Sequence, residues 1–488
     1  MSPVLAGSLV FCTSASILVL EILAARLLAP YVGVTIETYT AVIGVVLAGI
    51  ALGSWYGGKL ADRIAPQRLL GRAVTLGGGL ALLSGVLVDA LGPGVAGGGP
   101  GATVILAAVA FFAPAAVLSS VPPTVAKLRI RDLDTSGSVV GFLSAVGTGG
   151  ALVGTFLTGF VLVAAWPSRA IVTSVGIALV LAGLALWWKL DRSLTRGGVA
   201  ALILIVLVGG TLGFTVSPCE FESPYFCGRI DADPTSPSGR TLVLDNLRHS
   251  YVDLEDPSHL EFAYARRFAE LVSVQTREDA PLSVLHIGGG GFTLPRYWPT
   301  IRDVERNVVL EVDADLVEVA RTRLGLSDDD GVTVRIGDAR QTIDDEPTGA
   351  YDVVVEDAFG AVAVPWHLTT QEMLGKVQRV LTSDGFYLIN LIDYPPLGFA
   401  KAETATLLSR FDEVAVLADP LVLAGDQGGN LVLAASDTSI DLDAVLARAE
   451  GEGDAVGALT GQALTTWVGD ASPLRDDFAP VDQLLSAP

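Results

Sequence analysis

Long apolar runs dominate the first 216 residues, and short apolar runs broken by Gly, Pro, Asp and Asn make up the rest. A helix needs roughly 20 apolar residues to cross a ~30 Å hydrocarbon core. Stretches of that kind predict spans near Val4 to Ala29, Thr38 to Gly57, Leu69 to Leu91, Ala102 to Val121, Val139 to Trp166, Ala170 to Trp188 and Val199 to Val216, about seven in all. A cleaved signal peptide is the rival reading of the first stretch. No basic segment precedes it, however, and Glu21 and Arg26 lie inside it.

Beyond Pro218 the pattern is that of a globular α/β domain. Strands are expected at Gly228 to Ile230 and Thr241 to Asp245, then a helix around Leu260 to Val272. Further strands follow at Ser283 to Ile287, Asn307 to Val312, Val332 to Ile336, Tyr351 to Glu356, Gly385 to Leu391, Glu413 to Ala418 and Leu431 to Ala435. Helical segments between them predict a doubly wound parallel sheet. The expected fold is an α-helical membrane bundle over 1–216, then an α/β Rossmann-like domain with a small N-terminal β portion over 217–440. The tail, 441–488, reads as a helix near Leu442 to Ala449 and a loose end, with Trp467 and Phe478 packing back on the sheet.

Charge separates the same two halves. Up to Val216 there are 12 Lys and Arg against 7 Asp and Glu, and the remainder holds 19 against 46. So acidic a soluble half argues against nucleic acid as a partner, because a polyanion needs a basic face. The basic residues of the first half cluster in alternate loops: Lys59, Arg63, Arg68 and Arg72, then Lys127, Arg129 and Arg131, then Lys189, Arg192 and Arg196. The positive-inside rule puts these loops and the amino terminus in the cytoplasm of a multi-pass cell-membrane protein, and an odd number of spans delivers the soluble domain to the extracytoplasmic face. Cys219 and Cys227 flank the segment just after the last span, a spacing that fits a disulfide in an oxidising compartment or two unrelated thiols. With 4 His and no Cys/His cluster, no metal site is expected.

Within the apolar half, Glu21, Arg26 and Asp89 are the notable ionisable groups. A charge at membrane depth is costly, so each needs a partner or a role. Arg26 and Asp89 read as interfacial anchors, and Glu21 as the candidate for function. Glycines such as Gly147, Gly150 and Gly154 read as close helix packing. Gly57 to Arg63, assigned to the loop between the second and third spans, resembles the glycine/Asp/Arg loop signature of major facilitator transporters. It is read here as a helix connector.

In an α/β sheet of this kind ligands sit beyond the carboxyl ends of the strands. The run Gly288, Gly289, Gly290 and Gly291 follows Leu285-His286-Ile287 and lets the backbone turn sharply against a ligand. Glu311 closes the next strand about 20 residues on, the interval at which an acid meets ribose hydroxyls. Asp338, in Gly337-Asp338-Ala339-Arg340, and Asp357 complete a chain of acidic strand ends. Each alone reads equally as a solvated helix cap.

These residues, over roughly Cys219 to Asp437, resemble the spermidine synthase (polyamine aminopropyltransferase) family, which has the class I methyltransferase-like fold. The preceding spans give the whole the look of a membrane-fused bacterial homologue. The resemblance implies that the glycine loop lies under the nucleoside, that Glu311 holds the ribose, that Asp338 with Ala339 meets the adenine, and that Asp357 is the acid near the reacting amine. It implies decarboxylated S-adenosylmethionine or S-adenosylmethionine as substrate, and no metal. Departures concentrate at the amine side: Gly291 stands where the family has an acid for the aminopropyl arm, Gly360 where it has a second Asp, Asp419 to Val422 where it has Tyr-Pro, and His259-Leu260-Glu261 where it has Tyr-x-Glu. Glu356, Glu261 and Asp393 are the candidates for replacement charge.

The expected function is thus a membrane-anchored, spermidine synthase-like protein that binds an S-adenosyl-type nucleoside, with aminopropyl transfer to a polyamine. The alternatives are an S-adenosylmethionine-dependent methyltransferase and a non-catalytic polyamine-binding sensor or transport module. The partners expected are the lipid bilayer and small-molecule nucleosides and polyamines, with homo-oligomerisation left open.

Overall fold

The computed structural model describes residues 1–485 except 97, 131, 133, 135, 192–208, 212–216, 278, 361, 362 and 452. They form two compact units, Met1–Arg229 and Ile230–Pro488.

Among the described residues, the first unit contains six helices long and apolar enough to cross a membrane: α1 (Pro3–Val32), α2 (Ile36–Arg63), α3 (Pro66–Val95), α4 (Gly99–Arg129), α5 (Ser136–Ala165) and α6 (Ser168–Leu190). That length and hydropathy are compatible with a multi-pass membrane protein. The expected seventh span, Val199 to Val216, lies outside the described residues apart from 209–211, which are helical. Glycines bring the helices close: a Cβ at Gly150 would stand 2.2 Å from Phe11 O of α1, and one at Gly154 2.5 Å from Ala15 O. Apolar burial gives no drive for association in lipid, so such backbone approach is how the helices gain contact.

One expectation for this half needs correcting. Gly57 to Arg63 is no loop; it continues α2 to its last turn, and Asp62 pairs with Lys127 of α4 at 2.7 Å. Arg26 and Asp89, the expected interfacial anchors, both have partners. Asp89 forms a partly buried ion pair with Arg169 and accepts a hydrogen bond from Tyr31 Oη at 3.1 Å. Arg26 donates from Nη2 to Ser223 O at 2.6 Å, from Nη1 to Pro224 O at 2.7 Å and from Nε to Ser168 Oγ at 3.0 Å. A half-buried guanidinium needs its donors satisfied, and here two carbonyls from beyond the spans and the Ser168 hydroxyl do so. Glu21 is half-buried in the middle of α1, with no hydrogen bond or ion pair among the described residues.

The carbonyls that Arg26 holds belong to a small hairpin in which β1 (Phe221–Glu222) pairs antiparallel with β2 (Cys227–Ala232). A disulfide joins Cys219 to Cys227 across it, and Glu222 accepts a hydrogen bond from Ser168 N at 2.9 Å. The hairpin therefore sits at the bundle end formed by the finish of α1 and the start of α6. Asp191 lies at the opposite end, 2.8 Å from Arg72 and 3.5 Å from Arg68.

The second unit opens with the hairpin β3 (Gly239–Leu244) and β4 (Leu247–Asp253), followed by helix α7 (Ala263–Gln275). A larger sheet then has the order β12-β10-β11-β9-β8-β5-β6-β7. Its strands are β5 (Leu282–Ile287), β6 (Val304–Glu311), β7 (Thr333–Ile336), β8 (Tyr351–Glu356), β9 (Leu381–Asp393), β10 (Glu413–Ala418), β11 (Gly429–Ser436) and β12 (Gly457–Thr460). Strands β5 to β9 run parallel, whereas β11 pairs antiparallel with β9 and β10, and β12 antiparallel with β10. The expectation of a purely parallel sheet is thus corrected on one side. Only a short link around Pro420–Ala424 joins β10 to β11, and a parallel pair would need a crossover of roughly a dozen residues or more. The tail is not loose either, since β12 extends the sheet and Trp467 Nε1 bonds Leu423 O at 3.0 Å, while Phe478 stays exposed. Apolar side chains cover both sheet faces, with Ile287, Tyr387 and Phe399 on one and Phe268, Trp298 and Leu388 on the other.

Candidate functional site

The parallel strands end together, and their ends carry the glycine loop and the acids. Gly288 has φ +91° and Gly290 φ +50°, left-handed values that disfavour any side chain. Space forbids one too: a Cβ at Gly288 would lie 2.7 Å from Asp357 O. Backbone bonds from Gly288 N to Leu310 O (2.9 Å) and Asp357 N to Ile287 O (3.0 Å) lock the loop between the ends of β6 and β8.

Glu311 is fixed by this loop. Its Oε2 accepts from Gly289 N at 2.8 Å, and its Oε1 accepts from Asp313 N at 2.9 Å. Burial pushes its carboxyl up, and the backbone donors of Asp313, Gly289 and Gly290 oppose that shift. Asp338 caps the helical turn Ala339–Thr342 through Arg340 N at 2.8 Å, so Ala339 is held directly behind it. Its other oxygen faces His367 Nε2 at 3.4 Å. Glu311 and Asp338 thus both lie at the carboxyl ends of parallel strands, where ligands of such sheets sit.

Asp357 is held differently. Its Oδ2 accepts from Tyr264 Oη at 2.9 Å and its Oδ1 from Asn390 Nδ2 at 2.8 Å, while Asn430 steadies Asn390 at 2.9 Å. Burial raises its carboxyl to about 6, and the two hydrogen bonds, which favour the ionised form, restrain the rise. Tyr264, at the start of α7, and Asn390, on β9, were not singled out from the sequence. Nothing local marks them, because they lie 93 and 33 residues from Asp357. A narrow cavity of about 20 Å³, room for one water, touches Gly288, Gly289, Ser250, Glu261, Tyr264 and Asp357. A larger groove of about 1010 Å³ runs elsewhere, past Tyr297, Ile301 and Arg448.

The departures have structural form. At Gly291 a Cβ would stand 2.8 Å from Ser250 Cβ, and Ser250 Oγ accepts from Gly291 N at 2.9 Å. Strand β4 has therefore closed on the glycine loop where an acidic side chain would need room. Two of the three candidates for replacement charge do not face Asp357's pocket. Asp393 is buried and accepts from Tyr394 N and Ala400 N at 2.8 and 2.9 Å. Glu356 points into the opposite layer, where Tyr387 Oη donates to it, and burial raises its carboxyl to about 8. Glu403, also buried there, is pushed well up by burial and by Glu356. Of the three, Glu261 alone lines the cavity beside Tyr264.

The second unit has the methyltransferase-like Rossmann fold. More particularly, spermidine synthase-like proteins are similar to it, by structure over the C-terminal half and by sequence over about a third of the chain. A probable spermidine synthase from Corynebacterium glutamicum superposes with a TM-score of 0.50 at 27% identity, over 56% of this chain and 100% of its own. A polyamine aminopropyltransferase of Pyrobaculum aerophilum is 30% identical over 179 residues, 33% of this chain and 58% of that protein. An eEF1A lysine and N-terminal methyltransferase of Danio rerio is 30% identical over 124 residues, 24% of this chain and 18% of that protein. The chain thus spans less than two thirds of the length of these two curated relatives. No family model matches it.

Proposed function

We propose that this chain is a membrane-anchored, spermidine synthase-like transferase that binds an S-adenosyl-type nucleoside and passes its aminopropyl group to an amine. The observation that carries the reading is Asp357, a carboxylate with each oxygen gripped by a neutral donor, at the strand end beside the glycine loop. In this reading the ribose lies against Glu311 and the loop of Gly288, Gly289, Gly290 and Gly291, and the base against Asp338 and Ala339. Decarboxylated S-adenosylmethionine supplies a carbon made electrophilic by its sulfonium. The amine nitrogen bonds that carbon, the carbon–sulfur bond breaks, methylthioadenosine leaves, and the proton released from nitrogen passes to Asp357. A carboxyl that titrates at about 6 is ionised at neutral pH yet basic enough to accept it. Tyr264 and Asn390 aim the carboxylate. Calorimetry on the full chain in detergent micelles tests the reading, and binding of none of decarboxylated S-adenosylmethionine, S-adenosylmethionine or methylthioadenosine ends it.

Methyl transfer is the second reading, favoured by Ser250. With Ser250 packed on Gly291, no acid at that position repels the carboxylate of unmodified S-adenosylmethionine. Product analysis separates the two, methylthioadenosine marking the first and S-adenosylhomocysteine the second.

The soluble unit belongs, in our reading, on the extracytoplasmic side. Supporting this are the basic loops, the disulfide, and the opposite bundle ends occupied by Asp191 and Glu222. Paired reporters at the carboxyl terminus, active only inside or only outside, decide it; an inside signal rejects this orientation.

A further inference from the structure

The helical unit has an open recess between α2, α3 and α4, of about 440 Å³. Leu52, Leu60, Leu69, Leu76, Phe112 and Val117 make its walls apolar. Its back is sealed because α2 touches α4 directly: a Cβ at Gly53 would lie 2.0 Å from Ala116 O, and one at Gly57 2.5 Å from Ser120 Cβ. The volume falls in the range of roughly 300–1,000 Å³ that small ligands occupy. Left unfilled at hydrocarbon depth, the walls would lose their dispersion contacts, which are what holds helices together in lipid.

One end of the recess is basic and aromatic. Arg72 and Tyr56 line it, and Lys59 Nζ sits 3.7 Å from the Trp55 ring centroid. Arg72 and Arg68 share the single carboxylate of Asp191, and Asp62 is matched by Lys127. With Lys59 and Arg63 added, that end carries a surplus of positive charge. Trp and Tyr belong at the headgroup level, and basic pockets between spans attract anionic headgroups. The described residues of the last apolar stretch lie elsewhere: Cβ atoms built at Gly209 and Gly210 stand 3.1 Å from Leu82 and 3.7 Å from Ile177. Leu82 projects from a different stripe of α3 than Leu69, Ala73 and Leu76.

We propose that this recess is a binding site for an anionic phospholipid, with one acyl chain against the leucines and the phosphate beside Arg72 and Lys59. Neither the transferase nor the methyltransferase reading is needed for it.

Native mass spectrometry of the full chain, released from mild detergent after exposure to phosphatidylglycerol or phosphatidylcholine with identical acyl chains, tests the site. The wild type should retain a single phosphatidylglycerol in preference to phosphatidylcholine. Ala73→Phe, which fills the recess, should lose that retention. Lys59→Gln combined with Arg72→Gln should keep a lipid but lose roughly tenfold or more of the preference. Equal retention of the two lipids by the wild type overturns the proposal, as does undiminished phosphatidylglycerol on Ala73→Phe. A dimer that disappears in Ala73→Phe, with no lipid on the wild type, also overturns it and assigns the recess to a second copy of the chain. Should Ala73→Phe fail to fold, the double variant still decides, because Lys59 is exposed and Arg68 still faces Asp191 when Arg72 is replaced.

Discussion

Glu311 and Asp357 flank the same glycine loop, yet one is gripped by the main chain and the other by side chains. Glu311 takes its hydrogen bonds from Gly289 N and Asp313 N, so its place follows from the local path of the backbone. Asp357 takes its bonds from Tyr264 and Asn390, which arrive from α7 and β9. In the proposed reading, the first arrangement suits a rigid acceptor for a ligand that stays put. The second sets the proton affinity of a group through partners that can be altered one at a time, which suits the proposed proton acceptor.

The strongest way to break this contrast is Asp357→Asn, which keeps the shape and removes the base. Aminopropyl transfer by the full chain should fall about 10²- to 10⁴-fold in kcat, the usual worth of a positioned base, while calorimetric nucleoside affinity stays near wild type. An unchanged kcat would remove Asp357 from the chemistry.

Glu311→Gln should do the reverse. Its amide NH₂ cannot accept from a backbone N–H, so a bond that holds the loop is lost. The nucleoside Kd should weaken roughly tenfold to a hundredfold, the cost of a hydrogen bond to a charged group, and titration calorimetry reads it directly.

Tyr264→Phe sharpens the comparison. Removing a donor to the ionised form raises the Asp357 carboxyl above its value of about 6. The acidic limb of the kcat/KM profile should move to higher pH by up to about one unit. A Tyr264 with a merely structural role would lower the rate without moving the limb.

The smallest effect concerns Glu356, on the far side of β8. Its folded carboxyl titrates at about 8 against an ordinary 4.5, so the native state binds the proton more tightly than the unfolded state does. Stability is therefore lost as pH rises from about 4.5 towards 8, because folding must then take up the proton that the unfolded carboxylate has released. Glu356→Gln should flatten that slope, seen as β8 amide exchange rates that no longer rise with pH beyond the intrinsic exchange rate.

Much of this was legible in the sequence, and the contrast above explains which parts. Strands β8 and β10 fall where the alternation puts them, at Tyr351–Glu356 and Glu413–Ala418, because each is a run of apolar residues bounded by polar ones. The glycine loop and Glu311 stand out because their partners are two residues away or at the neighbouring strand end. Tyr264, Asn390 and Ser250 stayed hidden because only tertiary packing brings them to the site. Strand β4, Leu247–Asp253, escaped notice since Arg248, His249 and Ser250 dilute its apolar signal. The partners of Arg26 stayed hidden for a similar reason. Its hydrogen-bond acceptors Ser223 and Pro224 lie about 200 residues away, in a hairpin whose position no hydropathy pattern encodes.

Strand β12 has a further consequence. It covers the outer edge of β10 through antiparallel pairing from Ala415↔Thr460 to Ala418↔Gly457. Without it, Glu413–Ala418, an almost wholly apolar strand, would offer its bare N–H and C=O groups to any passing chain. β12, 4 residues long, thus replaces that edge with a shorter one. A chain cut at residue 440 should leave the sedimentation boundary of the intact protein and run as concentration-dependent multimers; a single boundary would show that the edge needs no cover.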